Sequence, residues 1–137
     1  MKLSLVKSHI ERKLIGDIEM PSDAMLSSFV WEALYFVCTK CMPRELMKKG
    51  DVDVDETVLR LVDKGFFIAV PERPIFDKED ASYHESAHLL IDEDLTFAVI
   101  DCSVSLITQM KDRKIEYMGD CIRKIQIYKS NFLREVE

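Results

Sequence analysis

LLIDEDLTFAVIDCSVSLITQM, residues 89–110, decides how this chain folds. Asp92 opens a helix, and Glu93 and Asp94 place negative charge in its first turn, where the helix macrodipole favours it. Leu95, Ala98, Val99, Cys102, Leu106 and Met110 then recur at helical spacing and make one apolar stripe. Lys111, Arg113 and Lys114 gather at its far end, where cations suit the carbonyl pole. A second helix, over about 113–134, carries Ile115, Met118, Ile122, Ile125 and Phe132, with Tyr128 beside them. Only the short polar joint Lys111, Asp112 and Arg113 separates the two, so they are expected to pack antiparallel.

Upstream, Leu3, Val6, Ile10 and Leu14 predict an amphipathic helix over residues 1–15, interrupted at Gly16. Ser22 follows Pro21 and is placed to cap another helix, with Asp23 in the first turn. That helix runs through Met25, Phe29, Val30, Ala33, Leu34 and Val37 to about Cys41, and Pro43 ends it. The stripes of the two long helices are expected to meet each other and to pack on Phe29, Val30 and Leu34. Asp55 and Gly65 bracket TVLRLVDK, residues 57–64, as a short helix. FFIAV, residues 66–70, is β-branched and aromatic and reads as a strand. A lone strand needs a partner, and AHLLI, residues 87–91, is the expected one across a polar loop. The predicted fold is mainly α: a small antiparallel helical bundle with one β-hairpin arm.

The bulk properties agree with one domain over residues 1–137, long enough for a single core. Net charge is −6, which argues against an overall basic footprint for nucleic acid. No apolar run approaches the roughly 20 residues that span a bilayer, and the charged N-terminal stretch lacks the apolar core of a signal peptide. Cys38, Cys41, Cys102 and Cys121 sit in or beside apolar segments and are read as buried reduced thiols. No G-x-S-x-G, phosphate-binding glycine loop or dinucleotide fingerprint occurs, and DVDVDE matches a calcium loop only loosely.

One chemical motif stands out. HESAH, residues 84–88, has the H-E-x-x-H spacing of zinc peptidases, in which two histidines on successive helical turns hold the metal and the glutamate activates water. On that reading His84 and His88 are ligands and Glu85 is the general base. Asp77 could cap the required helix, and Glu93, Asp94 or Asp101 would supply the third ligand. A hybrid site of Cys38, Cys41, His84 and His88 is a further zinc-binding alternative with an unusually long spacer. Against both, Asp92 begins a new helix only four residues after His88, and a strand at 87–91 would splay the histidines apart. The preferred expectation is a solvated polar loop with no catalysis and no cofactor.

The order of parts carries a resemblance. A helix ends in CTKCMPREL (38–46), and VDKG (62–65), FFIAVPERP (66–74) and a polar loop follow. LLIDEDLTFAVI then opens a long helix, and a long helix closes the chain. Over residues 22–137 this resembles the small head-to-tail connector (adaptor or neck ring) proteins of tailed bacteriophages. It shares their helix start I-D-E-x-L-x-x-A at Ile91, Asp92, Glu93, Leu95 and Ala98. It also shares a closing helix with Tyr117, Ile125 (one position late) and Tyr128. The histidines of the loop and the lack of a long basic tail depart from the pattern.

The resemblance implies a non-enzymatic virion protein, assembled in the host cytoplasm, whose copies form a ring, usually dodecameric. The ring would sit between the portal and the downstream neck or tail proteins and let DNA pass without binding it. The loop 71–86 and residues 128–137 are the expected contact surfaces, with Arg73, Ile75, Phe76, Tyr83, Tyr128, Asn131 and Phe132 as candidates.

Overall fold

The computed structural model describes residues 1–49, 58–62 and 66–136, with the backbone alone at 49, 58–62 and 132–136. Among these residues the chain forms α1 (Leu3–Lys13), α2 (Asp23–Lys40), a 3-10 turn (Arg44–Leu46), β1 (Met47–Lys49), β2 (Val58–Val62), β3 (Phe66–Ala69), α3 (Glu93–Ile107) and α4 (Lys111–Val136). It is a mainly helical bundle with a small antiparallel sheet, as expected from the sequence.

The organising element is α3, which is enclosed on nearly every side. Leu95, Ala98, Val99, Ile100, Cys102 and Val104 are all at most 1% exposed, and Thr96, Asp101 and Ser103 are fully buried with them. A helix apolar on one stripe packs on one neighbour, whereas one buried all round needs several. Here α4, α2 and α1 all pack against it. Its buried hydroxyls are satisfied locally: Ser103 donates to the Val99 carbonyl at 2.8 Å.

Helix α4 runs antiparallel to α3. Ser105 meets Lys114, Asp101 meets Lys124, and Asp92 meets Tyr128, so one number falls as the other rises. Its core face is Cys121, Ile125 and Tyr128. Ile115, Ile122 and Met110, expected in the stripe, are 66%, 41% and 45% exposed. The two long helices cross so that the 121/125/128 row faces inward, and residues 115 and 122 lie about 100° around the helix from it. Met25 on α2 is likewise exposed, and α2 buries Leu26, Val30, Ala33, Leu34, Val37 and Cys38.

The helix ends follow local chemistry. Ser22 caps α2, its Oγ accepting from the Met25 amide at 3.3 Å. Gly16 ends the turn after α1 at φ +78°, and a β-carbon at that position would have nothing within 4 Å, so the requirement there is backbone conformation alone. The joint between α3 and α4 is Thr108 to Met110, not residues 111–113. The Thr108 hydroxyl accepts from the Met110 amide at 3.2 Å and donates to Asp17. Lys111, Arg113 and Lys114 therefore begin α4. Lys114 still serves the end of α3, donating to the Ser105 carbonyl at 3.2 Å.

The sheet corrects two expectations. Residues 58–62 are a strand, not the core of a helix, and β3 lies at the centre of the order β1-β3-β2. Met47 pairs with Ile68, and Val62 pairs with Phe66. An eight-residue helix is marginal in isolation, whereas Val58 to Val62 gain ladder bonds and suit a pleated surface. The expected cap and stop, Asp55 and Gly65, and the DVDVDE run lie outside the described residues. Nor does 87–91 pair with β3, because β1 and β2 already occupy both of its edges. That segment turns to the opening of α1 instead: Leu3 N donates to Ala87 O at 3.0 Å, and His88 bridges Lys2.

Candidate functional site

The HESAH segment forms no helix. Residues 84–88 are turn and extended chain, and the His88 ring Nδ1 lies 2.8 Å from the Ser86 carbonyl. His84 and His88 are both exposed and line one cleft of about 300 Å³ with Leu3, Arg73, Ile75 and Ser82. The register that would aim both imidazoles at one ion, with Glu85 beside it, is thus not formed. Among the described residues no group of three or more His, Cys, Asp or Glu is disposed to hold a metal, which also leaves Cys38 and Cys41 ungrouped with the histidines.

The four cysteines are buried thiols. Cys41 Sγ donates to the Val37 carbonyl at 3.3 Å, closing the end of α2. Cys102 on α3 and Cys121 on α4 bond to each other, and this contact, followed by burial, pushes the Cys102 thiol well above its ordinary 9.0. A thiol held protonated in this way is a packing group.

The candidate contact residues divide sharply. Arg73 is exposed but ordered, bonding Ser28 Oγ at 3.1 Å and lying over the Trp31 ring at 5.7 Å. Trp31 in turn donates to the Pro71 carbonyl at 2.9 Å, fixing the start of the loop on α2. Ile75 and Tyr83 are half-buried, and Asn131 is exposed in a shallow groove with Asp94, Lys124 and Ile127. Phe76 and Tyr128, however, are each only 6% exposed. The Phe76 amide donates to Ser27 Oγ at 3.0 Å. Both are core residues of the single chain, so neither offers a surface to a partner. The Phe132 side chain lies outside the described residues.

The polar centre that sequence reasoning missed is Asp92. Expected to cap α3, its carboxylate makes no cap bond there. It turns instead to the 3-10 turn, accepting from the Arg44 amide at 3.0 Å and the Glu45 amide at 2.8 Å. The Tyr128 hydroxyl donates to it at 2.6 Å. One carboxylate therefore joins the end of α2, the start of α3 and the last third of α4. Burial, then this bond to Asp92, raises the Tyr128 phenol above its ordinary 10.0. A usable signal was present: CMPREL leaves amides at a turn start with no helical acceptor, and such donors attract a carboxylate.

Two further buried carboxylates act alike. Asp101, with a fully buried side chain, is held between Lys13 of α1 at 3.3 Å and Lys124 of α4. Asp17 receives Arg113 at 3.5 Å and the Thr108 hydroxyl. These charges tie α1 and the turn after it to α3, α4 and the joint between them.

The chain matches no protein-family model, no curated protein and no solved structure. Among the described residues no helix is long and apolar enough to cross a membrane.

Proposed function

We propose that this chain is a structural assembly protein of the phage head-to-tail connector kind. Copies would form a ring between portal and tail, through which DNA passes without being gripped. The observation that carries this reading is how the buried polar side chains are used. Asp92, Asp101 and Asp17 each tie two or three elements together. The long loop 71–90 meanwhile presents most of its acidic residues outward. Asp92 belongs to the Ile91–Asp92–Glu93 start on which the resemblance rests, so a motif shared by pattern has a joining role here.

A net charge of −6 suits a channel wall that repels phosphates. The peptidase alternative requires residues 84–88 to form a helix they do not form, and no observation favours it. Electron microscopy of the purified chain over a range of concentrations tests the reading. Closed rings with a central channel are expected, and a particle that stays monomeric at every concentration overturns it.

A further inference from the structure

Helix α4 carries a second apolar row that the fold of the single chain does not use. Its inner row is Cys121, Ile125 and Tyr128. Ile115 and Ile122, at 66% and 41% exposed, stand on an outer row with Gly119 and Gln126, which are exposed as well. At 3.6 residues per turn these four positions fall within about 60° of one another around the helix, and half-buried Met118 borders them. Gly119 is the odd member. Glycine is a poor helix former, yet this one sits in the interior of a 26-residue helix. A β-carbon there would meet nothing within 4 Å beyond its own helix, and its φ is not positive. The packing of the single chain therefore gives no reason for bare backbone at 119. A second helix crossing closely at that point would supply one, because the side chains at a crossing set how near two helices come.

The charges beside this row suit one particular partner. Asp112, Glu116 and Arg123, all exposed, lie on one flank within about 40° of one another, with the acids first along the helix and the base second. Among the described residues Asp112 and Glu116 form no ion pair. Arg123, 68% exposed, pairs with Asp120 one turn away, a surface contact of little energy. Its five N–H donors leave room for a second carboxylate. On the opposite flank Lys114 is held by the Ser105 carbonyl, and Lys111 stands at the helix start.

We propose that the outer row of α4 packs on the same row of a second copy across a two-fold axis, the two helices antiparallel and crossing at Gly119. With Ile115 opposite the other copy's Ile122, Met118 falls against Gly119. A two-fold axis keeps equal flanks together, so Arg123 of each copy lies between Asp112 and Glu116 of the other, about 3 Å along the axis from either. This ionic contact forms twice. Lys111 meets uncharged Gln126, and Lys129 lies past the start of the partner helix, so no like charges are opposed. A parallel pairing would instead set Glu116 on Glu116 and Arg123 on Arg123. The occupant is a second copy because the face is complementary to itself, as an isologous contact requires. The contact joins chains two at a time. It goes beyond the connector reading and does not rest on it, since a ring needs heterologous surfaces elsewhere.

The test is sedimentation velocity on the full chain at concentrations up to about 1 mM, because one helix pair makes a small interface. Thermal melts of dilute chain are the control for folding. The parent chain is expected to dimerise reversibly. Gly119→Leu has open space in the single chain and should keep or raise its melting temperature, while it weakens the dimer roughly tenfold or more by holding the helices apart. Glu116→Arg and Arg123→Glu each oppose like charges at both symmetric positions and should weaken self-association about tenfold. Mixing these two charge variants should recover it in large part, since each mixed pair again sets Arg against Glu on both sides. A parent chain that stays monomeric at the highest concentration, or a dimer unmoved by Gly119→Leu and by both charge variants, overturns the contact. The two readings separate cleanly. Rings that form without this contact leave the connector reading standing while the contact falls, and dimers that never close into rings do the reverse.

Discussion

At the scale of single residues, Asp92 and Tyr128 form the most consequential contact. Asp92→Ala would leave the Glu45 amide without its acceptor and reduce the Arg44 amide and the Tyr128 phenol to their longer contacts, with each other at 3.2 Å and with the Met42 carbonyl at 3.3 Å, at a cost of about 3 kcal/mol. Tyr128→Phe removes one bond to a carboxylate and should cost about 1.5–3 kcal/mol. Urea unfolding of both variants measures these losses, and an Asp92→Ala chain as stable as the parent would contradict the clasp. The same bond governs alkaline behaviour. Burial and the carboxylate both favour the neutral phenol, so the folded chain holds that proton to higher pH than the unfolded chain does. Its contribution is therefore complete below pH 10.0 and declines as pH rises beyond it. Unfolding free energy measured between pH 8 and 11 should fall in the parent chain. Tyr128→Phe should flatten only the part of that fall above about pH 10.

Among the elements, α4 shows how a stripe is read correctly in kind and wrongly in phase. Helical spacing fits Ile122 and Ile125 equally well, yet Ile125 is 3% exposed and Ile122 is 41% exposed. Ile125→Ala should cost about 2–5 kcal/mol, whereas Ile122→Ala should cost under about 1 kcal/mol. Equal losses in thermal or urea melts would mean that the helix is rotated from the orientation that buries Ile125. The opening helix offers a second check. At φ +78° with open space around it, Gly16→Ala meets no steric clash beyond its own backbone, so its cost should stay near 1 kcal/mol. The strand β2 is the element read wrongly. Its flanking cap and stop signals belong to short-range chemistry, while its partner β3 is chosen by the ladder.

For the whole molecule, the expected behaviour is assembly without DNA affinity. Duplex DNA should not bind the purified chain tightly at neutral pH. A binding constant that falls steeply with salt would show phosphates being neutralised and would overturn that expectation. Zinc titration by calorimetry is expected to show no stoichiometric site that is lost in His84→Ala. The reason is that His84 and His88 line a cleft from turn and extended backbone rather than from one helical face. A site that does vanish in this variant would revive the metal reading of HESAH.

What the chain by itself disclosed was chemistry that acts within a turn or two of its own residue. Ser22 caps α2 because its hydroxyl reaches an amide three residues on, and Gly16 breaks the chain because of its own φ. The helical bundle was likewise legible, since the 3.6-residue period of Leu95, Val99 and Cys102 is written in the chain itself. What only the tertiary structure decided depends on partners far away in sequence. The helical period says that α4 has an inner face, but contact with α3 selects Cys121, Ile125 and Tyr128 over Ile122. FFIA is strand-forming on its own, but its edges were taken by residues 47–49 and 58–62, which left 87–91 to α1. HESAH has the spacing of a metal site, but spacing becomes geometry only on a helix. Asp92 has the position of a cap, yet the amides of Arg44 and Glu45, nearly fifty residues away, were the stronger claim on its carboxylate.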